Sequence, residues 1–414
     1  MVSAAVAASL AILAQPAIAT PVRFVASGDF GTGSPGQWAV ADAMKKICDA
    51  RGGCDFALGL GDNVYEVGVA DECDAQFQTK FEAPYQALGL TWYMSLGNHD
   101  NSHDPVLQGP VGAALAPVGE AVADLVRPLS DDLAGLFEHP EELGLGHWYP
   151  AGNREVDYHY RSRGFVEEGV DSCAPSPCPP TGRWYMPLRF YTLPDEAGQG
   201  AADFFALDTN TLMYMGMPFP PDARELQRQV ENDVLLQELW IDGALAQSAA
   251  TWKIAFGHHP YRSNGSHGNA GFYEGAPMTP VSGPYVKAFY ERHVCGKVDL
   301  LIVGHDHDLQ WLEPVASCGG TEFIVSGAGA KTRAFECCES PPCLDRDFFR
   351  ECNVVREDEN GTPLAVDEEL GFFWLEIDGG QLTAALYTVV SDDAEPPATT
   401  GVPTLVGERT LTKD

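Results

Sequence analysis

Residues 299–308 read DLLIVGHDHD, and this stretch decides the fold. An unbroken apolar run, Leu300 to Val303, leads into a glycine and then into two histidines interleaved with aspartates. An apolar run of that length without polar alternation marks a strand covered on both faces. The glycine turn then sets metal-type side chains just beyond the strand's carboxyl end, where ligand sites of open α/β sheets gather. Working outward, the same pattern recurs in VRFVASGDFG (22–31), FALGLGDNVY (56–65), TWYMSLGNHD (91–100) and WKIAFGHHP (252–260). DFFALDT (203–209) and EFIVSGA (322–328) are strands of the same kind. Helical periodicity occupies 36–48, 74–88, 222–247 and 284–295. FFWLEI (372–377) and LTAALYTVV (382–390) read as paired strands turning at Asp378-Gly379-Gly380. The expectation is an α/β fold with a substantial central sheet or sandwich.

The chain has 414 residues, 25 Lys+Arg against 59 Asp+Glu, and a formal net charge of −34. With 45% hydrophobic residues it can bury a sizeable core, which excludes wholesale disorder. The acidity argues against a nucleic-acid partner, which needs cations to displace phosphate counterions. A phosphate-bearing ligand must therefore be attracted locally, against the field of the whole molecule.

Residues 1–19 carry no charge and end in Ala17-Ile18-Ala19, a small-x-small triplet expected of a signal-peptidase site. Export, to the medium or a periplasm, is the expectation, with no stable membrane anchor after cleavage. Eleven cysteines agree with an oxidising compartment. Cys337, Cys338, Cys343 and Cys352 crowd one loop, and Cys173 and Cys178 bracket another; disulfides are expected rather than a thiolate zinc site, and the odd count leaves at least one free or intermolecular thiol. The catalytic domain is expected over 20–390. Residues 101–182, rich in Gly, Pro and acidic residues, read as an insertion, and 391–414 as a polar, loosely ordered tail.

Five glycine turns hold the candidate chemistry: GDFG (28–31), GDNVY (61–65), GNHD (97–100), GHHP (257–260) and GHDHD (304–308). Asp29, Asp62, Tyr65, Asn98, His258, His305 and His307 offer four oxygen donors and three imidazoles. That exceeds one tetrahedral zinc and suits two ions sharing a ligand, with Asp62 the natural bridge. Two ions roughly 3.5–4 Å apart activate a water and clamp an in-line displacement at phosphorus.

These five blocks, in this order, resemble the metallophosphoesterases and, within them, the purple acid phosphatases, particularly the small animal-type tartrate-resistant acid phosphatases. Weaker likeness runs through RWYMPLRFYTL (183–193), DFFALDTNTL (203–212) and VSGAGAK (325–331). The resemblance implies a β-sandwich flanked by helices (α/β/β/α) with a dinuclear metal site at strand carboxyl ends. Most metallophosphoesterases begin with Asp-x-His; here that histidine is Gly31, and Tyr65 looks like the replacement, a hard anionic donor suited to ferric iron.

By the same resemblance, Fe(III) would sit among Asp29, Asp62, Tyr65 and His307, and Fe(II), Zn(II) or Mn(II) among Asp62, Asn98, His258 and His305. His258 is preferred to its neighbour His259, and Asp306 and Asp308 are expected to be supporting or surface groups. His99 and His267 are the catalytic candidates, contacting the phosphate or donating a proton to the leaving group. His103 and His293 are expected to be structural.

The implied activity is an acid phosphatase: hydrolysis of small phosphate monoesters by in-line attack of a metal-bound hydroxide, fastest below neutral pH. The alternatives are a phosphodiesterase or nucleotide-selective metallophosphoesterase, and a secreted, non-catalytic iron-binding protein.

Overall fold

The computed structural model describes residues 20–101, 149–164, 181–215, 224–275, 282–335 and 353–413. The expected leader 1–19, His103, most of the 101–182 block and the cysteines at 173, 178, 337, 338, 343 and 352 lie outside the described residues.

Fourteen strands are described: β1 Val22–Ser27, β2 Phe56–Leu60, β3 Thr91–Ser95, β4 Trp184–Tyr185, β5 Tyr191–Thr192, β6 Ala202–Ala206, β7 Trp252–Phe256, β8 Leu300–Val303, β9 Leu309–Leu312, β10 Glu322–Ser326, β11 Ala365–Val366, β12 Leu370–Asp378, β13 Gln381–Ser391 and β14 Gly401–Thr412. They form two seven-stranded sheets, ordered β14-β13-β12-β1-β2-β3-β4 and β11-β9-β10-β8-β7-β6-β5. Strands β1 to β4 run parallel in the first sheet, as do β6, β7, β8 and β10 in the second.

Side-chain alternation explains why the central strands read as unbroken apolar runs. Phe204, Ile254, Phe256, Leu300, Ile302 and Ile324 enter the core shared by the two sheets. Their neighbours Phe205, Ala255, Leu301, Val303, Phe323 and Val325 enter a second core with Val234, Ile241, Val286 and Phe289. The latter four lie on the helices α4 (Arg224–Gln247) and α5 (Pro284–Phe289). Helix α1 (Pro35–Ala50) packs on β12, β13 and β14 of the first sheet, so the layers are helix, sheet, sheet, helix. Between the sheets Phe24 stacks on Phe56 at 5.0 Å and Phe204 meets both edge-on at 5.3 Å. Truncating Phe204 to alanine would cost about 3–5 kcal/mol. Two further short helices matter for the site: α2 (Asn153–Ser162) and α3 (Thr209–Tyr214).

Two expectations need correction. Residues 74–88 form turns around one wide helical turn, Gln78–Glu82, closed by Ala83 N–H donating to Gln78 O at 2.9 Å. The 391–414 segment is not a loose tail: Gly401–Thr412 pairs with β13 from Gln381↔Thr412 to Ser391↔Gly401. Its residues alternate in exposure because only one face is covered, and polar positions such as Thr404, Glu408 and Thr410 hide the strand from an apolar reading. The β12–β13 hairpin forms with Asp378 opposite Gln381, as expected. Disulfides Cys48–Cys54 and Cys295–Cys318 staple two loops.

Candidate metal centre

The parallel strands of both sheets deliver their carboxyl ends to one place, and the turns there are hydrogen-bonded to one another within and between the sheets. Gly28 N–H donates to Ser326 O at 2.8 Å, Asp29 N–H to Gly61 O at 3.0 Å and Gly304 N–H to His258 O at 3.1 Å. Three of the candidate residues hold left-handed backbone: Asp29 at φ 57°, Asp62 at φ 52° and His305 at φ 71°. Such conformations cost on the order of 1–3 kcal/mol each and persist where surrounding structure over-determines them. Gly31 has no room for any side chain, since a Cβ there would lie 1.9 Å from Asn63 O. The lack of a side chain at residue 31 is thus demanded by the turn itself.

The seven donor residues fall into two groups that meet at Asp62. On one side Tyr65 Oη lies 2.8 Å from Asp62 Oδ2, 2.9 Å from Asp29 Oδ1 and 3.3 Å from His307 Nε2. His307 Nε2 is 3.5 Å from Asp29 Oδ1. On the other side His258 Nε2 lies 3.4 Å from Asp62 Oδ1 and 2.9 Å from Asn98 Oδ1. His305 Nδ1 is 3.1 Å from both Asn98 Oδ1 and His258 Nε2. Asp62 therefore presents one oxygen to each group. Ligand atoms of Asp29, Asp62 and His258 all lie within 4.8 Å of one another.

The surroundings fix orientation. His258 Nδ1 faces the Leu60 carbonyl at 2.8 Å; a carbonyl only accepts, so the ring proton sits on Nδ1 and Nε2 is left as a donor atom for the site. His305 N–H donates to Asp29 Oδ2 at 2.8 Å, and His99 N–H to Asp62 Oδ1 at 2.9 Å. Beneath the turns, Asp100 accepts from Asn63, Val64 and Gly97 N–H groups. The Asn63 amide donates to Ser95 O, Asp100 and Glu155.

The electrostatics of this arrangement test whether cations fit it. Asp29 is pushed well above the usual carboxylate range by burial and then by the charge of Asp62. Burial, followed by the charges of Asp29 and Asp62, likewise pushes the Tyr65 phenol far up. Burial opposes ionisation of Asp62 too, yet His258, His99 and the Tyr65 hydrogen bond hold it below its ordinary value. Burial depresses His258, His305 and His307, disfavouring protonation of all three imidazoles. Buried oxygen acids in mutual contact, beside neutral imidazoles, form a costly cluster that bound cations would neutralise. The residues fit a metal pair.

The remaining candidates separate clearly. His99 lies at the edge, its Nδ1 donating to Glu66 O at 2.6 Å and its Nε2 3.9 Å from Asp62 Oδ2. His267 stacks on His305 with ring centroids 4.2 Å apart, and its Nδ1 meets the Glu274 carboxylate. His259 points its Nδ1 at Thr209 Oγ1, 2.7 Å away, outside both groups. Asp306 and Asp308 are buried, not surface groups: Asp306 accepts from His267 N–H, and Asp308 from the Gln310 amide. His293 pairs with Glu238 and Asp242 away from the centre.

Three site residues escaped the sequence reading. Glu155 comes from α2, inside the block read as an insertion, where no strand-turn pattern flags it. Lys331 and Arg333 follow β10; a pair of cations in so acidic a chain was the available signal.

A double sheet bearing such a donor cluster at its strand carboxyl ends is the architecture of a metallophosphoesterase. The family model described as calcineurin-like phosphoesterase matches residues 22–309, and the chain belongs to that family. It is 28% identical to purple acid phosphatase 3 of Arabidopsis thaliana over 318 residues, 75% of this chain and 63% of that protein. The chain thus spans less than two thirds of that relative's length. It is 27% identical to human tartrate-resistant acid phosphatase type 5 over 334 residues, covering 78% of this chain and 75% of the relative. Among solved structures, GAP50, the anchor in the inner membrane complex of Plasmodium, superposes with a TM-score of 0.51 at 16% identity. That match covers 94% of this chain and 90% of the other, a likeness of fold alone.

Proposed function

We propose that the chain is an acid phosphatase that hydrolyses small phosphate monoesters at a two-cation centre. The observation that carries this reading is the division of the seven donors into two groups, each facing a different oxygen of Asp62. Asp29, Asp62, Tyr65 and His307 would hold one cation, for which the phenolate favours Fe(III); Asp62, Asn98, His258 and His305 would hold a divalent one. Such a pair supplies Lewis acidity toward the phosphoryl oxygens and a nucleophilic oxygen near neutral pH.

The chain's own residues do the rest. Asp62, braced by His99 N–H, keeps the two groups in register. Asn98 and His99 line the side on which the phosphoryl group would lie. With its proton on Nδ1 held by Glu66 O, His99 turns Nε2 toward the centre, where a protonated ring donates to the departing alkoxide. His267, stacked on His305, would order substrate-side groups. Burial disfavours protonation of His305 and His307, which keeps their ring nitrogens available as donors. The two disulfides among the described residues support export, since such bonds persist in oxidising compartments.

The test is turnover of p-nitrophenyl phosphate and of bis(p-nitrophenyl) phosphate between pH 4 and 9, alongside metal analysis and a visible spectrum. Preferential monoester hydrolysis below pH 7 by coloured, iron-containing protein is expected. Faster diester turnover would favour a phosphodiesterase, and metal binding without turnover a non-catalytic protein.

A further inference from the structure

The chain carries few cations, yet two lie against the centre. Lys331 and Arg333 follow β10 at alternate positions, and Thr332 between them faces solvent. Alternate residues of an extended segment point the same way. The segment is tied to the site, because Arg333 N–H donates to His307 O at 2.9 Å. Lys331 Nζ lies 4.0 Å above the Tyr65 ring, on the Tyr65–Asp62 side. Arg333 Nη1 lies 3.0 Å from His267 Nε2 and 3.1 Å from Ser266 Oγ, on the His267–His305 side.

The guanidinium is positioned by a chain of hydrogen bonds. Glu274 accepts from His267 Nδ1, which leaves Nε2 as an acceptor, and a guanidinium can only donate. Glu274, His267 and Arg333 form a relay that fixes the Arg333 fork. Among the described residues Lys331 pairs with Glu66 at 3.3 Å in addition to covering the Tyr65 ring, and that carboxylate is 65% exposed. An exposed pair of this kind contributes little and is readily exchanged for a stronger anion.

We infer that Lys331 and Arg333 form a subsite for a second phosphate of the substrate, making them specificity-determining residues for substrates with two linked phosphates. The inference rests on the phosphatase reading above. Arg333 supplies a planar fork matched to phosphate and Lys331 a mobile point charge. One phosphoryl group occupies the metal centre and its neighbour lies between the two cations. In a molecule of net charge −34 this local pair offsets the unfavourable overall field for the most highly charged small substrates.

The experiment compares adenosine 5′-monophosphate with adenosine α,β-methylene diphosphate, binding each by titration calorimetry to the metal-loaded wild type and to Lys331→Gln, Arg333→Gln, Arg333→Lys and Thr332→Val. kcat/KM for adenosine mono- and diphosphate is measured in parallel. The wild type should bind the diphosphate analogue about 10- to 100-fold more tightly, the scale of one or two charge-assisted hydrogen bonds. Lys331→Gln and Arg333→Gln should each erase most of that ratio, Arg333→Lys should recover part of it, and Thr332→Val should leave it unchanged. A ratio near one in the wild type, or equal weakening of both ligands in the variants, overturns the subsite. If the wild type binds and hydrolyses neither nucleotide nor p-nitrophenyl phosphate, it is the phosphatase reading that fails.

Discussion

The phenol of Tyr65 touches the carboxylate of Asp62, three residues earlier in the chain, at 2.8 Å, and the same phenol reaches Asp29 at 2.9 Å. A single side chain therefore joins two strand-end turns between two buried carboxyl groups. Replacing Tyr65 by Phe keeps the ring and removes that oxygen. The expected result is loss of any visible charge-transfer band and a fall in affinity for the first metal of at least about 10–100-fold. Absorption spectroscopy and metal titration against a competing chelator check both.

Gly31 is a steric requirement, given the 1.9 Å approach of a built Cβ to Asn63 O. Gly31→Ala should destabilise the protein by about 1–3 kcal/mol through overpacking. A lowered urea midpoint with an unchanged slope is the signature. Gly31→His should be worse, and should not create a replacement ligand for Tyr65→Phe.

Arg189 and Asp208 form a buried ion pair at 2.6 Å behind the centre. Asp208 also caps α3 by accepting from Asn210 and Thr211 N–H, and Arg189 reaches Asn101 at 3.1 Å. Arg189→Met leaves a buried carboxylate without its cation and should cost about 3–5 kcal/mol. The double variant with Asp208→Asn should lose less than the sum of the singles, which denaturant unfolding can measure.

Glu155 is pushed up to about 8 by burial, outweighing its hydrogen bonds with Asp100 and Asn63. In the unfolded chain it titrates near 4.5. Its protonated form thus stabilises the metal-free protein fully below pH 4.5, and that contribution is lost as pH rises through about 8. Glu155→Gln cannot ionise, so its metal-free stability should fall less than that of the wild type between pH 4.5 and 8. Thermal melts across that window decide the matter; parallel curves for the two proteins would contradict it.

Much of this architecture is legible in the chain. Apolar runs such as Leu300–Val303 mark strands covered on both faces, and the glycine turn after each names the side chains that converge. What escaped reading depends on context instead of local pattern. Glu155 becomes relevant only because α2 lies under Asn63, across 92 positions of sequence. Arg333 becomes relevant only because Glu274 and His267 aim it. Strand β14 is polar at alternate positions, so it signals itself through its partner and not through its own composition.

That last strand has a practical consequence. Ala384 to Leu386 of β13 are wholly enclosed, and β14 completes their backbone pairing along the outer margin of the first sheet. Without residues 401–412, β13 would present eleven residues of bare, strongly apolar template to any passing chain. A recombinant form stopped after residue 391 should therefore self-associate even though every glycine turn of the metal centre is retained, and affinity handles are better placed beyond residue 413 than in place of the strand.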